Sequence, residues 1–131
     1  MSLAWEGTHR RYELTQKVLT EVARTGRATV SGALAGEIDE VYGDFAAFLL
    51  DLRRRWYLMF DTHLDGLLEN PPRDMARAVA ELRRDLERAH RPVRVLLDAH
   101  PGPTSVDAHH RAALLTATGV DEDHVLTRRV S

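Results

Sequence analysis

The longest periodic pattern in the chain lies between residues 29 and 69. Apolar side chains there fall on one side of a helix when each residue turns the direction by about 100°. Acidic side chains occupy the opposite side, as on a surface that faces solvent. The pattern therefore predicts one long amphipathic helix, in which Gly43 is the likeliest place for a bend. The apolar side carries Ile38, Tyr42, Phe45, Leu49, Leu52, Trp56, Phe60, His63 and Leu67.

The start of this helix is ambiguous in the sequence. Thr29 and Ser31 can each accept a hydrogen bond from a first-turn N–H, so either is suited to cap the helix. Gly32 and Gly36 would allow another backbone to approach closely, or they mark a loop. We place the start near residue 29 and keep the loop as the alternative.

Shorter periodic segments flank the long helix. Residues 5–25 form one, which ends before Gly26, and the Asn70-Pro71-Pro72 sequence separates the long helix from the next one. Later segments cover 73–90, 92–100 and 105–118, and the short charged stretch 120–131 would form a helical turn or fray. The sequence predicts an all-α, single-domain bundle over 1–131 with about five helices. Segments 5–25 and 73–90 are the expected antiparallel neighbours of the long helix.

Composition narrows the classes of protein. The 131 residues suit one domain, and the lack of cysteine excludes disulfides and thiolate chemistry. A formal charge of -2 argues against nucleic-acid binding by phosphate neutralisation. No apolar run approaches the roughly 20 residues that cross a bilayer. We expect a cytoplasmic protein that binds neither nucleic acid nor membrane.

The predicted length of the central helix suggests an oligomer. About 40 residues at 1.5 Å each span roughly 60 Å, which is longer than the expected diameter of a domain this size. The remaining segments would cover it only in part, with apolar surface left near Trp56, Tyr57 and Leu64. A homodimer is the simplest way to bury that surface.

Two histidines and one arginine interrupt the apolar sides of the predicted helices. His63 lies in the centre of the long helix's apolar arc, and His110 lies in that of the last helix. Arg53, beside Trp56 and Tyr57, could bind an acidic ligand or form a structural pair. These five residues are the candidate ligand-binding set. Arg54, Arg55, Asp61 and Asp65 are assigned to the solvated side.

A metal site is the chemical alternative. His63 and His110, with His90 or His9, would give the imidazole ligands of a zinc or iron centre. Each histidine is more simply explained as a core or boundary side chain with a hydrogen bond. A di-iron centre is disfavoured because inward-facing glutamates are lacking, and no cofactor is predicted.

No catalytic motif emerges from the sequence. The chain lacks a nucleophile elbow and a phosphate-binding glycine loop. A non-enzymatic interaction or scaffold module, homodimeric through the long helix, is the first functional hypothesis. The second is a bundle, enzymatic or not, that binds a small molecule or metal with His63 and His110 facing an internal cavity.

Overall fold

A computed structural model describes residues 3–102 and 104–121, and helices are the only regular secondary structure in these ranges. This confirms the predicted all-α class. No helix among the described residues combines the length and apolarity needed to span a membrane. Residues 122–131 of the predicted tail lie outside the described residues. The helices are α1 (Leu3–Thr25), α2 (Gly32–Tyr42), α3 (Phe45–Glu69), α4 (Met75–Ala89), α5 (Arg91–Ala99) and α6 (Thr104–Thr118).

The predicted helix over 29–69 is two helices, so its continuity was wrong. α2 ends where Gly43 adopts φ 95°, and the Gly43 N–H donates to the Asp39 carbonyl at 2.9 Å. Asp44 then caps α3, because its Oδ1 accepts a hydrogen bond from the Ala47 N–H at 2.7 Å. The interruption falls at Gly43, which the sequence marked as the likeliest place for a bend. The apolar rhythm hides it because Ile38 and Phe48, on either side, are both fully buried.

α2 begins three residues later than predicted. Ser31 is its N-cap, and its hydroxyl accepts from the Leu34 N–H at 3.3 Å. A methyl group added at Gly32 or Gly36 would have no neighbour within 4 Å. Among the described residues, no backbone approaches these glycines closely, so that interpretation of them was wrong.

The described residues divide into two compact units. The first comprises residues 3–53 and 90–102, and the second comprises residues 54–89 and 104–121. α3 therefore contributes its first nine residues to one unit and the rest to the other. Each unit is described by itself.

In the first unit, α1 runs antiparallel to α2, as predicted. Arg10 pairs with Glu40 at 3.1 Å and Lys17 pairs with Glu37 at 3.7 Å, so rising numbers on α1 meet falling numbers on α2. These exposed ion pairs contribute little stability. Apolar burial stabilises the unit, at about 25 cal/mol for each Å² of apolar surface removed from water. Its core includes Leu14, Val18, Val22, Ile38, Phe48, Leu52, Leu96 and Leu97.

The second unit contains the remainder of α3 with α4 and α6. α4 begins at Met75, two residues after the predicted start, because the Asp74 carboxylate accepts from the Arg77 N–H at 3.0 Å and caps the helix. The Arg83 guanidinium lies 5.4 Å from the centre of the Phe60 ring. The core of this unit includes Trp56, Phe60, Leu64, Val79, Ala80, Leu86, Leu114 and Val120.

This packing removes the surface on which the dimer prediction depended. Trp56 is 2% exposed and Leu64 is 5% exposed within a single chain. α3 has 25 residues and is about 38 Å long, well short of the roughly 60 Å predicted for one continuous helix. The apolar area expected beside these two residues is therefore absent, and the homodimer stays a prediction.

Candidate functional site

A cleft of about 460 Å³ lies between α3 and α6 in the second unit. Clefts that bind small molecules typically enclose about 300–1,000 Å³. Each helix presents one face to it, since lining residues that are three, four, seven or eight apart lie on the same side of a helix. α3 contributes Arg54, Tyr57, Leu58 and Asp61, and α6 contributes Ser105, Val106, His109, His110 and Ala113.

A stacked pair of rings forms one wall. The rings of Tyr57 and His110 have their centres 4.0 Å apart, and their planes differ by 16°. Phe60 contacts the His110 ring edge-on, with the centres 5.3 Å apart. His110 is thus held between two aromatic rings of α3 and is only 5% exposed. The wall is therefore built from rings that pack directly against one another.

A hydrogen bond fixes the other end of the tyrosine. The Tyr57 hydroxyl donates to the Asp107 carboxylate, which belongs to the first turn of α6. Both residues are half-buried. The bond fixes the orientation of the Tyr57 ring and ties α3 to α6 beside the cleft.

The environment of His110 keeps its imidazole neutral near pH 7. The pKa of His110 is lowered to about 4, mainly by burial and also by the Arg83 and His109 charges, while Asp107 partly opposes the shift. His110 Nδ1 lies 3.7 Å from Asp61 Oδ1. That distance is too long for a hydrogen bond, and a neutral imidazole makes no salt bridge. The contact therefore leaves the Asp61 carboxylate available.

The other nitrogen of His110 is unsatisfied. Nε2 is buried, and none of the described residues forms a hydrogen bond with it. A buried polar atom without a partner costs about 1–3 kcal/mol. His110 Nε2 carries this cost in the folded chain.

Charged groups of opposite sign stand on the α3 side of the cleft. Asp61 has a raised pKa, first because of partial burial and then because of the nearby Asp65 carboxylate. Its side chain is 56% exposed. Arg54 is exposed, and within the described ranges no acidic side chain forms an ion pair with it. Both groups can therefore meet a molecule that enters from solvent.

Of the predicted ligand-binding residues, the structure brings His110 and Tyr57 together in this cleft. Trp56 lies in the core and does not line it. His63 is exposed, so its predicted place in the buried arc was wrong. The buried row of α3 advances in steps of four residues through Leu52, Trp56, Phe60 and Leu64. Each step turns the row by about 40°, which carries it away from His63.

Arg53 serves the first unit. It is 6% exposed, and its Nη2 donates to the Leu97 carbonyl at 3.5 Å and to the His100 carbonyl at 3.0 Å. These carbonyls end α5, where a positive charge is favourable. A methyl group at Gly102 would lie 2.1 Å from Arg53 Nε, so the backbone passes directly against the guanidinium. The side chain predicted for an acidic ligand instead caps a helix.

The predicted metal ligands do not form a cluster. His90 is the exposed N-cap of α5, and His9 stacks on Trp5 and lies 2.9 Å from Glu13. Residues 3–102 and 104–121 contain no group of three or more histidine, aspartate or glutamate side chains that could hold a metal ion. The geometry of these residues gives no support to a zinc or iron centre made from His63, His90 and His110.

The sequence interpretation missed the charged residues of the cleft. The apolar spacing assigns Arg54 and Asp61 to the solvated side and does not indicate that they line a cleft. The spacing of Arg54, Tyr57 and Asp61 places them on one face, and this was the available signal. No family model, curated protein sequence or solved structure matches the chain. The cleft is therefore interpreted from its own residues.

Proposed function

We propose that the protein binds a small organic molecule in the cleft between α3 and α6. The observation that carries the proposal is a cleft of about 460 Å³ with a stacked Tyr57–His110 wall and an exposed leucine inside it. This is a modified form of the second hypothesis from the sequence. His110 and Tyr57 stay in the site, and His63 does not.

The apolar lining supports binding. Leu58 is 68% exposed although it lines a concave surface, and Val106 and Ala113 lie on the opposite helix. Burying a leucine side chain fully is worth about 1.5–3 kcal/mol. An apolar molecule in the cleft would cover Leu58 and stack on the aromatic wall. The expected gain is part of that range, since Leu58 is already partly covered.

The titration of His110 favours binding over catalysis. A general acid or base works best when its pKa is near the working pH. Burial lowers the pKa of His110 to about 4, so the imidazole neither gains nor loses a proton readily at pH 7. As a neutral ring packed between Tyr57 and Phe60, it is suited to contact a ligand.

A fluorescent probe tests the proposal. We expect 8-anilinonaphthalene-1-sulfonate to bind the folded protein with one site and to shift the amide resonances of residues 105–113 in NMR spectra. Ala113→Phe should abolish binding because its ring fills the cleft. Ala117→Phe is the matched control, since Ala117 is exposed on the same helix and outside the cleft. Equal binding by both variants, or no binding by the unaltered protein, would refute the proposal.

Self-association is the second candidate, and the exposure of α1 favours it. Trp5 is 51% exposed and Tyr12 is 54% exposed. They are seven residues apart, so both project from one side of the helix. Large aromatic side chains are enriched in protein interfaces. The homodimer predicted from the sequence would then form through α1 instead of the long helix.

A further inference from the structure

Two opposite charges stand at the two ends of one row in the cleft. Arg54 and Asp61 both line it and are seven residues apart on α3, which places their Cα atoms about 10 Å apart along the helix. Tyr57 and Leu58 lie between them on the same face. Along α3, the cleft is therefore lined first by a cation, then by an aromatic ring and an apolar side chain, and last by a carboxylate.

The two charges do not neutralise each other. Among the described residues, no ion pair joins the Arg54 guanidinium to the Asp61 carboxylate. The described residues hold no ion-pair partner for Arg54, and the His110 imidazole that lies 3.7 Å from Asp61 is neutral near pH 7. Each charge is left to interact with something that enters the cleft.

We infer that the ligand is a small zwitterion with its anionic group at Arg54, its cationic group at Asp61 and a flat or apolar body over Tyr57 and Leu58. The inference rests on the proposed function of the cleft. A ligand with only a negative charge would gain at Arg54 but meet the Asp61 carboxylate, with Asp65 behind it. A ligand with only a positive charge would meet the Arg54 guanidinium. A molecule with both charges satisfies both ends.

Three related probes separate these cases. 4-(Aminomethyl)benzoate carries both charges at opposite ends of one ring, benzoate carries only the anion, and benzylamine carries only the cation. We expect 4-(aminomethyl)benzoate to bind at least about fivefold more tightly than either of the others when NMR titrations are compared at pH 7.

Charge-removing variants assign each end. Arg54→Gln should weaken 4-(aminomethyl)benzoate to the level of benzylamine, and Asp61→Asn should weaken it to the level of benzoate. Arg84→Gln and Glu69→Gln are the controls, because both residues are exposed in the second unit and neither lines the cleft. Circular dichroism and thermal unfolding confirm that each variant is folded.

The outcomes distinguish the inference from the proposed function. If the three probes bind with equal affinity in the cleft, or if Arg54→Gln and Asp61→Asn bind 4-(aminomethyl)benzoate as the unaltered protein does, the zwitterion is wrong while the binding cleft stands. If neither these probes nor 8-anilinonaphthalene-1-sulfonate shifts the cleft resonances, both fail.

Discussion

His110 makes the stability of the protein depend on pH. Its pKa is about 4 in the folded protein and about 6.5 in a freely solvated chain, so the unfolded state binds the proton more readily between these values. The free energy of unfolding therefore falls as pH drops from about 6.5 to about 4 and levels off below. Because each pKa unit corresponds to about 1.36 kcal/mol, the loss is on the order of 3 kcal/mol.

A variant isolates this effect. His110→Phe keeps a ring against Tyr57 and cannot titrate, so we expect its free energy of unfolding to fall less steeply between pH 6.5 and 4 in urea denaturation. Comparing it with the unaltered protein at each pH cancels most contributions of other carboxylates. The raised pKa of Asp61 acts with the opposite sign, and its effect is small because the side chain is more than half exposed. Parallel curves for the two proteins would contradict this prediction.

Substitutions of the neighbouring Arg53 and Arg54 are predicted to have opposite effects, one on the stability of the protein and the other on ligand binding in the cleft. Arg53→Met leaves the carbonyls of Leu97 and His100 without their donor, so we expect a loss of about 1–3 kcal/mol in the free energy of unfolding. Affinity for 8-anilinonaphthalene-1-sulfonate should not change, since Arg53 does not line the cleft. Arg54→Met should do the reverse, with unfolding changed by less than about 0.5 kcal/mol and weaker probe binding. Loss of probe binding in Arg53→Met alone would restore the ligand role that the sequence suggested.

The burial of a residue could be predicted only where the apolar spacing along its helix matched the side that packs against other helices. His110 lies on the apolar side of α6, as its spacing indicated, and it is buried. His63 has the same local signal on α3 and is exposed. The difference arises because the neighbouring helices decide which side of α3 is buried. The spacing of residues along α3 alone does not show where those helices lie. For a charged residue at the edge of an apolar face, such as Asp61, the spacing does not indicate whether the side chain faces open solvent or a cleft.

At the scale of the elements, Gly43 and Gly36 should respond to alanine in opposite ways. Gly43 has φ 95°, which costs an L-residue about 1–2 kcal/mol, so Gly43→Ala should destabilise the protein by that amount. Gly36 lies within α2 with open space around its Cα, so Gly36→Ala should stabilise it by up to about 1 kcal/mol. Chemical denaturation of the two single variants measures both. A stabilising Gly43→Ala would mean that one continuous helix over residues 29–69 is accessible after all.

The choice at Gly43 between one continuous helix and two helices shows what helix periodicity can and cannot predict. The existence and approximate bounds of the helices followed from the apolar spacing, and the terminating role of Gly26 followed from its residue type. The break at Gly43 did not, because Tyr42 and Phe48 pack edge-on across it at 5.4 Å and the Tyr42 hydroxyl donates to Asp51 at 2.8 Å. These tertiary contacts favour two helices over one, and they have no counterpart in the local sequence.

At the scale of the whole molecule, the cleft could not be derived from the sequence. Tyr57 and Asp107 are 50 residues apart, and their hydrogen bond exists only once α3 and α6 are packed. Each helix was predicted with an apolar face, but the sequence did not indicate which faces would meet or how much space would stay open between them. The cleft is therefore a property of packing, whereas the helices are largely a property of local pattern.

Self-association is the last prediction, and α1 is where it can be tested. The exposed Trp5 and Tyr12 give one side of α1 an aromatic character, and burying both against a second copy would contribute to a dimer interface. We expect sedimentation velocity to show a dimer whose dissociation constant rises at least about tenfold in Tyr12→Arg, because the change brings charge into an apolar contact. Thr20→Arg is the control, since Thr20 is exposed on the same helix about 80° away from Tyr12. A monomer at every concentration would remove self-association as a function and leave ligand binding as the use of this fold.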